Sequence, residues 1–198
     1  LQIFAPTSVG DPGELLYRAI LETQDPILFI ENKLQYLLPV LEASELEEFR
    51  ITISTSNMIP LAPTYTLAIQ GAPAPVLTMT AYGYMAELAR QALLKLAYEH
   101  EIFAELVVPT RLAPAEIQPI LTSVMQTGRL LTIEEGTRSL GWGSEVLAAC
   151  SEQLGSRLRQ SYRLAARDLP IPASGPLEAA VLPGLDEIIQ AAHKLTRG

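Results

Sequence analysis

The chain has 198 residues, 48% of them hydrophobic but only 6% aromatic, so it can close one large or two small domains around an aliphatic core. Its formal charge of −8 repels phosphate backbones and argues against nucleic-acid binding. No apolar run approaches the ~20 residues of a membrane span, and no basic start leads into an apolar block as in a signal peptide, so the expectation is a soluble cytoplasmic protein.

The opening Leu1–Ala5 reads as a short strand ended by Pro6. It is strand-like from its first residue and lacks Met, which suggests a piece of something longer. Asp11-Pro12-Gly13-Glu14 has the form of a helix start, with Asp11 as cap and proline in the first turn. Leu15, Leu16, Ala19 and Ile20 give that helix an apolar face, and Asp25-Pro26 stops it. Ile27–Ile30 is unbroken apolar sequence, expected as a strand buried on both faces. Together these form one β-α-β unit.

From Leu38 to Pro75 the pattern is less regular. Glu42, Glu45, Glu47 and Glu48 read as a solvated acidic face, and Pro60, Pro63, Pro73 and Pro75 punctuate the stretch. Phe49–Ser54 and Tyr65–Ile69 alternate as strands do. A domain boundary is expected between residues 55 and 65, dividing the chain into 1–60 and 61–198.

Regular alternation resumes at Val76–Thr80, a strand followed by a turn at Ala81-Tyr82-Gly83. Met85, Leu88, Ala89, Ala92 and Leu96 mark the inner face of a helix, with Glu87, Arg90 and Lys95 largely off it. Phe103–Val108 is a strand. Pro114 is expected to open a helix with Ile117, Ile120, Leu121 and Val124 inward, closed by Gly128. Leu130–Ile133 is a strand, a glycine-rich loop follows, and a helix runs from about Ser144 to Leu154. Tyr162–Ala165 is a further strand. Pro170, Pro172, Gly175 and Pro176 make a rigid connection to a last helix over Asp186–Leu195. Alternating strands and helices with short links predict an α/β fold: three layers, α/β/α, around a mainly parallel, mixed sheet.

The candidate chemistry concentrates between Arg129 and Leu147. Glu134 and Glu135 fall where a parallel strand would end, the place where α/β proteins build sites. Neighbours on a strand point to opposite faces, so the two acids cannot share a proton; one is expected in a loop-facing hydrogen bond and the other exposed. Gly141-Trp142-Gly143 opens a helix and could offer amides to a phosphate. A dinucleotide fingerprint would need glycine at 146, where Val146 stands, and no Lys-Ser/Thr follows as in a P-loop. A tight turn with close backbone packing accounts for these glycines more simply. Trp142, the only tryptophan, is expected in an exposed loop as an interface anchor. His100 and His193 have no Cys, Asp or His at ligand spacing. Cys150, the single cysteine, excludes an internal disulfide and a Cys-rich zinc site and reads as a small buried thiol. Residue chemistry alone shows no active site; it describes an assembly domain.

The order of motifs resembles a known family. Leu1-Gln-Ile-Phe-Ala-Pro6, then Pro26-Ile-Leu-Phe-Ile-Glu-Asn-Lys33 with Tyr36, is similar to the end of the pyrimidine-binding domain in β subunits of thiamine-diphosphate-dependent 2-oxo acid dehydrogenases. Leu77-Thr-Met-Thr-Ala-Tyr-Gly83 looks like the start of their transketolase-type C-terminal domain. Thr127–Gly136, Gly141-Trp-Gly-Ser-Glu145, Asp168-Leu-Pro-Ile-Pro172 and Leu182–Ile189 follow in family order. The chain departs from the pattern at Val108-Pro109-Thr110-Arg111, where an acid or amide before the arginine is common. It also departs at Arg157-Leu158-Arg159-Gln160, basic where several relatives carry an acidic acyltransferase-docking segment. Ala19, Glu22 and Asp25 lie near the places where some relatives bind K⁺.

The resemblance implies a parent that decarboxylates a 2-oxo acid and passes the acyl group to a lipoyl arm. Thiamine diphosphate and Mg²⁺ would be held by segments other than this one, with no cofactor on the fragment itself and no activity of its own. It implies an α subunit or α-like domain as partner, self-association as a dimer, and contact with a lipoyl-bearing acyltransferase core. Tyr82, Glu134, Glu135, Gly136, Gly141, Trp142 and Gly143 are the interface residues expected on this reading; no catalytic, cofactor-binding or metal residue is assigned. The C-terminal part of a transketolase or deoxyxylulose-phosphate synthase, a free-standing assembly module, and a nucleotide-binding α/β domain remain the alternatives. The two N-terminal strands are expected to be covered by self-association or by docking on the C-terminal domain.

Overall fold

A computed structural model describes residues 1–38, 41–55 and 62–197. Strand β1 (Gln2–Phe4) leads to helix α1 (Pro12–Glu22), whose first turn is capped as expected: the Asp11 carboxylate accepts the Glu14 amide at 2.9 Å. Strand β2 (Ile27–Phe29) returns parallel to β1, with Ile3 opposite Leu28. This is the predicted β-α-β unit, and Phe4, Leu15 and Ala62 form its small core.

Strand β2 is not buried on both faces. It forms an open edge of a three-stranded sheet, and Leu28 and Ile30 are 48% and 41% exposed. Leu16 and Ile20, expected inward, are also exposed, beside Tyr17 and Leu21 on α1. One helix covers one side of a small sheet, so the remaining apolar surface has no layer against it among the described residues.

A 3-10 turn at Lys33–Leu37 precedes helix α2 (Ala43–Leu46), strand β3 (Phe49–Ser54) and strand β4 (Thr64–Ile69). Pro60 and the expected 60/61 boundary lie outside the described residues. Strand β3 nevertheless pairs antiparallel with β4 from Phe49–Ile69 to Ser54–Thr64, so residues 49–54 belong with the larger sheet. Then come β5 (Leu77–Ala81), α3 (Gly83–His100), β6 (Ala104–Pro109), β7 (Arg111–Ala113), α4 (Gln118–Thr127), β8 (Arg129–Thr137), α5 (Trp142–Leu154), β9 (Gln160–Ala166), α6 (Gly175–Ala179) and α7 (Leu185–Thr196).

The large sheet has the order β3-β4-β6-β5-β8-β9. Strands β6, β5, β8 and β9 are parallel; β3 and β4 add an antiparallel edge. The period-2 rule sorts the side chains. On β6, Leu106 and Val108 face one core and Val107 the other; on β8, Leu131 and Ile133 oppose Leu130. Helices α3 and α7 cover the first face, α4 and α5 the second. The three-layer mixed-sheet expectation holds.

Other details differ from expectation. Helix α4 begins at Gln118, not at Pro114, because residues 111–113 are drawn out as β7 to pair antiparallel with β1. That pairing, with the Ala5 amide on the Thr110 carbonyl at 2.9 Å, docks the N-terminal unit on the larger one. Gly128 does close α4, at φ +65°, a conformation that costs other residues strain.

Glu87 and Arg90, placed off the inner face of α3 by sequence, are 7% and 9% exposed. Ser8 of the N-terminal unit reaches Glu87, and Phe49 of β3 lies over Arg90. Arg90 donates to both Glu87 oxygens at 2.8 and 3.1 Å, and Gln91 and Ser8 donate to the same carboxylate. The Arg90 guanidinium lies 5.8 Å from the Phe49 ring centroid. Burial pushes the Glu87 carboxyl up, but its donors outweigh this and hold it below the ordinary range.

Removing one partner of such a pair leaves a buried charge, so Arg90→Ala is expected to lower unfolding free energy by about 3 kcal/mol in denaturant titration. A depressed carboxyl stabilises the fold above its unfolded value and loses that contribution as pH falls through the depressed one. Glu87→Gln should therefore flatten the acid limb of a melting-temperature profile below pH 4.5.

Candidate functional site

Strand β8 runs through the two acids and ends at Thr137, with its pairing to β9 irregular between Ile133 and Thr137. The acids do point to opposite faces, but neither is freely exposed. Glu134 turns under α5, is fully buried, and accepts the Gly143 amide at 2.9 Å. Glu135 turns to the N-terminal unit, where the Asn32 side-chain amide lies 2.8 Å from each of its oxygens. Asn32 also caps the 3-10 turn, accepting the Leu34 amide at 2.8 Å.

Burial raises the Glu134 carboxyl; the Gly143 and Trp142 amides and Arg163 oppose the shift. Burial raises Glu135 as well, against the Asn32 donor and with help from Glu178. Tyr82, at the carboxyl end of β5, is pushed up to about 12 by burial and by the charges of Glu134 and Glu135. The hydroxyl therefore stays protonated at neutral pH.

The glycines of the loop surround one carboxylate. A Cβ on Gly143 would stand 2.7 Å from Glu134 Oε1, and one on Gly141 would meet both Glu134 oxygens at 2.7 and 2.8 Å. One on Gly136 would lie 2.9 Å from Glu134 Oε2. The amides read as donors for a phosphate thus serve the protein's own side chain. Val146, which broke the dinucleotide fingerprint, is core.

Trp142 is not in an exposed loop. It is the first residue of α5, half-buried, and meets Tyr82 edge to face with centroids 5.2 Å apart. Just before it, Leu140 is fully exposed at φ +58°. Asp168 holds this loop by accepting the Ser139 amide and hydroxyl at 2.9 and 2.8 Å. Leu140, Trp142, Ile3, Ile30 and Leu112 border an open groove of about 490 Å³. Tyr82 separates it from a cleft of about 620 Å³ bearing Asn32, Lys33 and the carboxylates Glu31, Glu135 and Glu178. Three carboxylates against one lysine give this cleft an acidic lining that repels a bare diphosphate.

All seven expected interface residues, Tyr82, Glu134, Glu135, Gly136, Gly141, Trp142 and Gly143, gather at this end of the sheet. Asn32, Thr132 and the Ser139–Asp168 pair were missed, because their partners are distant in sequence or their role appears only with the strand register. His100 and His193 meet at 4.6 Å where α3 and α7 end, 93 residues apart and without a local signal. Arg111 pairs with Glu116 at 3.3 Å. Cys150 is buried, its thiol pushed up to about 11 by desolvation. Ala19 lies in a core, Glu22 pairs with Arg18 at 3.0 Å and Asp25 accepts from Gln2. No group of three or more His, Cys, Asp or Glu among the described residues is placed to hold a metal.

Comparison with known proteins places this geometry. The family model for the transketolase C-terminal domain matches residues 68–188. The mitochondrial β-1 subunit of the pyruvate dehydrogenase E1 component of Arabidopsis thaliana is 30% identical over 98% of this chain and 50% of its own length. The β subunit of 3-methyl-2-oxobutanoate dehydrogenase of Mycobacterium tuberculosis H37Rv is 27% identical over the whole chain and 52% of its own. This chain thus spans about half the length of the curated relatives it matches. A solved structure described as a split-gene transketolase, an inactive β4 tetramer, aligns with TM-score 0.65 and 20% identity over 99% of this chain and 58% of that one, which is agreement of fold.

The packing around Glu134 leaves no room for a methyl group. Gly143→Ala is expected to destabilise the chain by about 1–3 kcal/mol in thermal or denaturant unfolding, because its Cβ must displace Thr132 or Glu134. Gly175→Ala, where nothing among the described residues lies near the added methyl, should stay within about 0.5 kcal/mol of the parent.

Proposed function

Since the chain belongs to the transketolase C-terminal domain family, we propose that it is the assembly region of the β subunit in a thiamine-diphosphate-dependent 2-oxo acid dehydrogenase. The parent would carry out oxidative decarboxylation and acyl transfer to a lipoyl group. The observation that carries the reading is the similarity to β subunits over 98–100% of this chain, the N-terminal β-α-β unit included. On this reading residues 1–38 are the end of a pyrimidine-binding domain.

The surfaces support a role in association rather than chemistry. The described residues offer no nucleophile beside a base. Cys150 is buried and Glu134 is engaged by backbone amides. Large apolar side chains instead stand exposed: Leu16, Tyr17 and Ile20 on α1, Leu28 on β2, and Leu140, which borders a groove with Trp142. An α subunit or α-like domain, a second copy and a lipoyl-bearing acyltransferase are the proposed partners. Thiamine diphosphate and Mg²⁺ would be held by other segments; when bound, the cofactor stabilises the carbanion that decarboxylation creates. This chain's part is to hold those segments in register.

Sedimentation and calorimetry of the 198-residue chain test the proposal. We expect self-association, no detectable heat with thiamine diphosphate and Mg²⁺, and no turnover of pyruvate or branched 2-oxo acids. Leu140→Asp should weaken association about tenfold, as loss of an apolar anchor does. A strictly monomeric chain, or turnover by the isolated chain, would overturn the reading.

A further inference from the structure

Helix α5 starts without a side-chain cap, since its N-cap residue is Gly141. Its free amides would ordinarily be met by water, a cap or an anion. Here they converge on the fully buried Glu134 carboxylate, with Gly143 N at 2.9 Å. The pocket is larger in polar capacity than this bond uses. Glu134 Oε2 and Thr132 Oγ1 are both buried and without partners among the described residues, and Thr132 is 1% exposed. Gly136, Gly141 and Gly143 close around the carboxylate at distances that only hydrogen fills. Arg163 donates to the Arg138 carbonyl and to Ser144 Oγ, bracing the same turn from β9.

We propose that the start of α5 is a binding site for a small monocarboxylate, occupied in the native chain by Glu134 as a tethered ligand. Glu134 is thereby a positioning residue: it fixes the first turn of α5 and sets Trp142 against Tyr82. The cradle is filled by one planar carboxylate, with an amide donor at Gly143 and the backbone of three glycines close around it, so a carboxyl group is the chemistry it is shaped for. The site stands independently of the assembly reading. Only its consequence for docking, a preformed Leu140–Trp142 edge, rests on that reading.

Trp142 is the only tryptophan, so its fluorescence and near-ultraviolet dichroism report this turn directly. Glu134→Ala empties the cradle, and Glu134→Gln keeps it filled with one acceptor for the Gly143 amide. We expect Glu134→Ala to lose at least half of the tryptophan dichroism and to shift emission to the red. Sodium formate should restore both saturably, and inorganic phosphate at equal ionic strength should not. Glu134→Gln should keep most of the signal and ignore formate. A parent-like spectrum in Glu134→Ala, or no saturable response to formate, overturns the proposal. If Glu134→Ala does not fold, its refolding yield with and without formate decides: recovery supports the site and no recovery refutes it. Sedimentation of the same proteins separates the two readings. A formate response without self-association keeps the site and removes the assembly role.

Discussion

One buried carboxylate organises the carboxyl end of the large sheet. Taking an ionised Glu134 out of water is costly unless fixed donors replace the solvent. The first amides of α5 supply part of that replacement, aided by the partial positive charge at the helix start, and burial still raises the carboxyl. Much local sequence follows from that arrangement. β8 must extend past Ile133 to bring residue 134 under α5. The loop must return at once, so it is short. Residues 136, 141 and 143 must lack a Cβ. Trp142, held between two of those glycines, then has one direction to point, onto the ring of Tyr82.

The two units are joined by main-chain pairing and by a pair of carboxylates that draw donors from the smaller one. Strand β7 supplies an edge to β1. Glu87 accepts from Ser8, and Glu135 accepts from Asn32. A buried ion pair such as Glu87–Arg90 contributes little net stability over an apolar substitute, since desolvation offsets most of the attraction. Its effect is one of placement. Arg90 and Gln91, on the same helix, fix the Glu87 carboxylate, and Ser8 of the small unit then has one place to donate, which an aliphatic surface would not provide.

The legible part of the fold was the part governed by local rules. Parallel strands buried on both faces read as apolar runs, and the helix ends at Asp11 and Gly128 carried their own chemistry. What failed depended on partners distant in sequence. Residues 111–113 carry no strand pattern of their own and are strand because β1 lies beside them. Glu87 and Arg90 look like a solvated helix face until Ser8 and Phe49, both distant in sequence, come over them. Ile27–Ile30 looked doubly buried because composition cannot tell whether a second layer exists. Around the site, glycine spacing marked the right loop, but spacing cannot distinguish an external phosphate from a side chain of the same chain. The decisive fact, that Glu134 and not Glu135 faces the helix, follows from Leu131 and Ile133 facing α3 and α7 while Leu130 faces α4 and α5, which only the assembled sheet shows.

The Leu140 backbone ties this interior arrangement to the surface. A β-turn could place glycine there at no cost, whereas leucine in the left-handed region costs about 1 kcal/mol or more. Its side chain recovers none of this within the described chain, because it is fully exposed. The loop that imposes the conformation is overdetermined: Asp168 grips Ser139 twice, Thr137 Oγ1 donates to the Ser139 carbonyl, and the Arg138 amide continues the pairing with β9 through Ala166. Rigidity of that kind lowers the entropy lost when a surface docks. With net charge −8 opposing indiscriminate contact, an apolar point held rigid beside an aromatic pair gives the acidic chain a defined place to meet another surface.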